Sequence, residues 1–251
     1  ASYDVTSQSF EGQVSFTITF EDFAGNAGTD GLFTMDQSMV EVDITPPVIS
    51  NDNITSTNED PNWAKYGDNI TLSFETSERI QFPTDTVTID GLTNVVVRRN
   101  ASWTGWTATG QVASDASGMA NYSISVKDNA GNVATPVTST ASINLDTDSP
   151  FLSGITLVSN NINNPQAFAK SGDEITLSFN TSETIQTPVI TLADNASLNV
   201  VDTSSDHDGT SWSAVHIVTS DDNNDNVTFS ISYLDIAGNA GANRTQDNSS
   251  T

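Results

Sequence analysis

Tyr122-Ser-Ile-Ser-Val-Lys-Asp-Asn-Ala-Gly-Asn132 alternates apolar and polar side chains and then breaks into a Gly-Asn turn. Period-two alternation marks a half-buried strand. A Gly-Asn pair tolerates positive φ and so suits the closing turn of a hairpin. The same signature occurs twice more, as Asp22-Phe-Ala-Gly-Asn26 and Asp235-Ile-Ala-Gly-Asn239, with the Asp positions 106 and 107 residues apart. Each copy follows an alternating strand: Phe16, Ile18 and Phe20 before the first, Phe229, Ile231 and Tyr233 before the third. A period near 100 residues exceeds any solenoid unit and matches an independently folding domain, so the chain reads as tandem beads.

Other landmarks keep the same beat. Gly67-Asp-Asn-Ile-Thr-Leu-Ser-Phe74 returns as Gly172-Asp-Glu-Ile-Thr-Leu-Ser-Phe179, and Thr76-Ser-Glu78 returns as Thr181-Ser-Glu183, each 105 residues on. Asp43-Ile-Thr-Pro-Pro47 is answered by Asp146-Thr-Asp-Ser-Pro150, and Trp106 by Trp212. No segment shows a sustained 3.6-residue apolar stripe. About seven short strands in roughly 100 residues give an all-β reading of tandem immunoglobulin-like β-sandwiches. In the complete bead, strand A follows Pro46-Pro47, B covers 69–76, C 86–90, D or C′ 94–99, E 106–112, F 121–127 and G 137–145. The two Trp residues opening strand E are expected to fill the core. The boundaries that follow are 1–45 for the C-terminal part of one domain, 46–148 for a complete domain, and 149–251 for a domain lacking most of its last strand. Arg244-Thr-Gln-Asp-Asn-Ser-Ser-Thr251 is poor strand material, and the whole reads as a window of a longer protein.

Seven Lys and Arg against 32 Asp and Glu give a net charge of −25. Such a surface repels nucleic acid phosphates and favours cations as partners. The charge far exceeds the magnitude of about 2–8 that keeps a small domain soluble. In a porous coat it would enrich small cations; on a free stalk it would merely keep the protein hydrated. Cysteine is absent, so no disulfide staples the beads. No apolar run approaches the ~20 residues that span a bilayer. Sequons for N-glycosylation lie at Asn53, Asn69, Asn100, Asn121, Asn180, Asn195, Asn226, Asn243 and Asn248, several of them expected by chance in so Asn-, Ser- and Thr-rich a chain.

In a sandwich of this topology, strand A starts at the pole where B ends and F turns into G. That pole gathers Asp43, Glu78 and Asp128 in the complete bead, and Asp146, Asp148, Glu183 and Asp235 in the next. Carboxylates from three distant segments suit a hard, oxygen-seeking cation: calcium takes 6–8 oxygens, and backbone carbonyls of Thr45 or Asn132 could complete the shell. The competing reading makes each Asp an Asx-turn former and each Glu a solvated loop charge. Asp68 and Asp173 fall at the opposite pole and read as turn residues. His207 and His216 have no counterpart in the preceding bead and read as surface or strand residues. Without a Cys nucleophile, a G-x-S-x-G elbow or a phosphate loop, the inventory argues against an enzyme.

Tyr66-Gly-Asp-Asn-Ile-Thr-Leu-Ser-Phe-Glu-Thr-Ser-Glu78 and Val126-Lys-Asp-Asn-Ala-Gly-Asn132, with the Asp-x-Thr-Pro-Pro linker, resemble prokaryotic Ig-like repeats of large cell-surface proteins. The resemblance covers essentially the whole chain. It implies a secreted, repetitive, often calcium-dependent structural element with copies of itself as partners. Sequons, acidity and absent Cys favour an archaeal surface-layer subunit. A bacterial adhesin or filament stalk is the runner-up, and a carbohydrate-binding module is a third reading.

Overall fold

The protein is seen here in a computed structural model that describes residues 1–34, 36–83, 86–139, 143–164, 167–193, 198–223 and 225–246. Among these residues the regular structure is entirely β. The first repeat contributes β1 (Gly12–Gln13) and β2 (Glu41–Val42). The second contributes β3 (Ile49–Ser56), β4 (Trp63–Ala64), β5 (Asn69–Thr76), β6 (Val87–Ile89), β7 (Leu92–Arg99) and β8 (Gly105–Val112). It continues with β9 (Ser117–Met119), β10 (Tyr122–Ile124), β11 (Val137–Ser139) and β12 (Asn144–Asp146). The third repeat holds β13 (Leu152–Ser159), β14 (Glu174–Thr181), β15 (Val189–Leu192), β16 (Asn199–Asp202), β17 (Ser211–Ile217), β18 (Phe229–Ser232) and β19 (Arg244–Gln246).

Strand order makes the fold immunoglobulin-like. In the second repeat one sheet runs β3-β5-β8-β7 and faces β11-β10-β6, which are strands A-B-E-D against G-F-C. The third repeat copies this with β13-β14-β17-β16 against β15-β18-β19. Alternation drives it: along β5 every second residue (Ile70, Leu72, Phe74, Thr76) is buried, and β8 answers with Trp106, Ala108 and Val112. From the other sheet Tyr122, Ile124 and Val126 close the core of the second repeat. Leu177, Phe179, Trp212, Ile190 and Ile231 anchor a separate core in the third. Trp106 stacks at 6.4 Å from Phe74 and meets Phe82 edge-on at 5.7 Å, so both strand-E tryptophans are core residues.

Two details depart from the sequence reading. Arg244–Gln246 do form a strand, pairing antiparallel with Phe229–Ile231 in the register that Val137–Ser139 take on β10. A β4-β12-β9 ribbon, with β4 parallel to β12, also packs at the far pole of the second repeat. Pieces two or three residues long carry no readable period. In the first repeat β1 and β2 form the same ribbon as β9 and β12, with Gly12 and Gly118 in equivalent positions and both at positive φ.

Each core should melt on its own contacts. Leu72→Ala empties a fully buried site and should destabilise the second repeat by about 2–5 kcal/mol. Denaturant unfolding should show that transition shift while the third repeat's stays in place. Phe16, Ile18 and Phe20 are 39%, 58% and 58% exposed, so a peptide of residues 1–45 should show no cooperative thermal melt by circular dichroism.

Candidate functional site

The site is built from the end of a strand, a turn and a linker. At the close of β5 the Thr76 hydroxyl donates to the Glu78 carbonyl at 2.7 Å, and Thr181 does the same to Glu183 at 2.6 Å. Between them, Ser77 locks the start of strand A: its hydroxyl accepts the Val48 amide at 2.9 Å and its own amide donates to the Val48 carbonyl at 3.0 Å. Ser182 and Phe151 repeat that exchange at 3.0 Å each way. Chain past the Glu then crosses to the other sheet, where Ile80 pairs with Asp128 and Ile185 with Asp235. The Thr-Ser-Glu triplet thus aims its Glu at the turn.

The turn is organised by its Asp. Asp128 is only 1% exposed. Its Oδ1 accepts the Gly131 and Asn132 amides at 2.6 and 2.9 Å, and its Oδ2 accepts Asn132 Nδ2 at 2.8 Å. The same Asn132 amide donates to the Asp43 carbonyl at 3.0 Å and so ties the turn to the linker. In the third repeat Asp235, also 1% exposed, accepts Asn239 N and Nδ2 at 2.8 Å each, and Asn239 Nδ2 reaches the Asp146 carbonyl at 2.9 Å. Both linkers add an Asx turn, Thr45 N to Asp43 Oδ1 and Asp148 N to Asp146 Oδ1, each 3.1 Å. The Asn132 carbonyl accepts the Asp128 amide at 3.1 Å and closes the hairpin.

Two equivalent carboxylate clusters result. Asp43, Glu78 and Asp128 each offer an oxygen within 4.8 Å of the others, and Asp146, Glu183 and Asp235 do the same at the next junction. The Asx-turn reading and the cluster reading therefore both describe Asp128 and Asp235. Asp148 lies outside the compact trio: it is exposed and acts on Asp146 and Glu183 through its charge. The second cluster borders a cleft of about 730 Å³ between the repeats, lined by Trp63, Gly118, Asp146, Asp148, Phe151 and Glu183 among others.

The electrostatics follow from crowding like charges in partial burial. Burial, then the Asp43, Asp128 and Glu11 carboxylates, push the Glu78 carboxyl above its ordinary range. Burial, then Asp146, Asp235 and Asp148, do the same to Glu183. Asp146 is also raised, chiefly by burial, against the opposing hydrogen bond from the Asp148 amide.

Glu11 escaped the sequence reading. Its Oε1 accepts the Ile44 amide at 3.2 Å and the Thr45 hydroxyl, holding the first linker against β1. The equivalent position on β9 is Ser117, so repeat logic could not reveal it. Asp68 and Asp173 sit at the far pole as expected, each accepting an Asn amide and a Lys backbone amide. His216 is a buried strand residue with Nε2 3.1 Å from both Asp222 oxygens, and His207 is exposed at φ +54°. Of the sequons, Asn53, Asn69, Asn100, Asn180, Asn226 and Asn243 are exposed and Asn121 is half-buried; Asn195 and Asn248 lie outside the described residues.

No protein-family model matches the chain, and no curated protein matches it. Among solved structures, the crystal structure of bovine butyrophilin is similar over 81% of this chain and 100% of that chain, at 11% identity and TM-score 0.30. No helix among the described residues is long and apolar enough to cross a membrane.

An acid raised in the folded state binds more protons folded than unfolded. Stability therefore declines as pH rises from the ordinary carboxyl value through the raised one. In chelator at neutral pH, Glu78→Gln and Glu183→Gln should each raise Tm. That gain should fade on acidification below the ordinary Glu value of about 4.3, as Tm against pH would record.

Proposed function

We propose that the chain is the repeat region of an extracellular cell-surface protein, a surface-layer subunit whose repeat junctions are fastened by calcium. The observation that carries this is the recurrence of one three-carboxylate cluster at two successive junctions, built from the same linker, strand-end and turn positions. The donor set fits the metal. All of the side-chain donors are oxygen, the trio can supply up to six oxygens if bidentate, and linker carbonyls stand beside it. Glu78 and Glu183, raised while the metal is absent, would be ionised by its charge. The role is structural: the residues hold two domains at one angle and carry no reaction.

Exposed sequons and the charge of −25 support a surface-layer coat that holds small cations. The end-to-end order of the repeats also suits the stalk of an adhesin or filament. Assembly separates the two, since a coat subunit gives two-dimensional sheets and a stalk gives monomeric rods. The carbohydrate-binding reading loses its best aromatics, because Trp106 and Trp212 are 2% and 6% exposed.

Calcium bound only by the folded junction stabilises by mass action, about 2.7 kcal/mol at a hundred times its dissociation constant. Melting temperature should climb with calcium and fall back with chelator, and small-angle scattering should show the rod stiffen in step. An unchanged melt and unchanged scattering would exclude the metal. Asp235→Asn should abolish the response of the second junction alone. It should also cost about 1–3 kcal/mol locally, because the new amide faces Asn239 Nδ2 donor to donor.

A further inference from the structure

The far pole of each sandwich carries a second constellation that the carboxylate clusters do not use. In the second repeat it lies between β3 and β5. Asn58 N donates to Ser56 Oγ at 3.0 Å, and Asp68 Oδ2 accepts Asn58 Nδ2 at 2.7 Å and Lys65 N at 2.9 Å. Two donors from this loop then reach the turn of the third repeat. Asn58 Nδ2 also donates to the Ala237 carbonyl, and Lys65 Nζ donates to the Gly238 carbonyl, both at 2.9 Å. Gly238 sits at φ +88°, and a Cβ there would come within 2.8 Å of the Lys65 ammonium.

The third repeat rebuilds this socket between β13 and β14. Asn161 N donates to Ser159 Oγ at 2.9 Å, and Asp173 Oδ2 accepts Asn161 Nδ2 at 2.7 Å and Lys170 N at 2.9 Å. Ser56, Asn58, Lys65 and Asp68 correspond in order to Ser159, Asn161, Lys170 and Asp173, at offsets of 103 to 105 residues. One thing differs. Lys170 Nζ folds back onto its own Asp173 at 3.1 Å with its side chain 71% exposed. Asn161 is 8% exposed, yet its second amide N–H meets no acceptor among the described residues.

The turns give the complementary evidence. Ala237, seated in the Asn58–Lys65 socket, is 1% exposed, whereas the matching Ala24 and Ala130 are exposed. Burial of this alanine therefore reports a filled socket. We propose that Asn161, Lys170 and Asp173 form a docking socket for the Asp-x-Ala-Gly-Asn turn of a further Ig-like repeat joined beyond Gln246. In the filled socket the Asn58 amide and the Lys65 ammonium face two adjacent turn carbonyls, a match in hydrogen-bonding type that calls for a glycine at the fourth turn position. The socket contacts themselves need no metal, because neither Asn58 nor Lys65 belongs to a carboxylate cluster.

Lysine reactivity tests this in chelator, apart from any calcium effect. Ser139 and Gln246 hold the same strand position, so repeating residues 140–246 directly after Gln246, with the lysine matching Lys170 in the added copy changed to Arg so that Lys170 is read alone, adds a linker and one more repeat in register. Acetylation of the 251-residue chain, read by mass spectrometry, should label Lys170 quickly and Lys65 slowly. In the extended chain Lys170 labelling should slow to the Lys65 rate. It should recover when the glycine matching Gly238 in the added turn is changed to Val, whose side chain would crowd the ammonium, while Lys65 stays protected as the internal control. A Lys170 that reacts equally fast in both chains would overturn the socket. Protection that instead rises with concentration in the unextended chain would overturn the linked-repeat assignment in favour of a second copy.

Discussion

The structure depends on a carboxylate taken out of water inside a tight turn. Asp128 and Asp235 are almost wholly buried, and a buried charge survives only where hydrogen bonds replace its hydration. Turn amides and the Asn side chain do so, and that same Asn amide then reaches the preceding linker. Asp22 makes equivalent bonds to Asn26 while fully exposed, and these bonds hold its carboxyl below the usual range. The turn is thus self-sufficient, and the junctions are built onto it.

Two opposing terms meet at each junction. Backbone and amide donors satisfy the buried Asp oxygens, while partial burial and neighbouring carboxylates press Glu78, Glu183 and Asp146 toward the neutral form. Among the described residues, the carboxyls raised this way all lie in these two clusters. At the other side of the same turn the contacts are of the opposite character, a lysine and an amide reaching carbonyls with no carboxylate crowding. One five-residue turn therefore serves both faces of a joint.

Much of this was legible in the residues. Alternation at Ile70, Leu72 and Phe74, and again at Tyr122, Ile124 and Val126, gave the strands, because burial on one face imposes period two. The internal repeat brought Asp43, Glu78 and Asp128 to one pole and separated them from Asp68. Short-range and non-repeating features stayed hidden. Trp63–Ala64 is too short to show a period, and Arg244–Gln246 is a polar edge strand held by its backbone ladder. Glu11 has no counterpart to betray it. Asn58 and Lys65 find their partners about 175 residues away in a segment that does not resemble them.

The joint between the second and third repeats is heterologous: the third offers a turn and the second a socket, and the two halves never need to match themselves. Such a unit can be duplicated or lost in multiples of whole repeats, and the seam on either side of the change is made from parts already present. Array length then becomes a property that recombination can adjust without inventing an interface. The same arrangement couples the history of neighbouring repeats, since an altered turn is first felt by the loop of the domain before it.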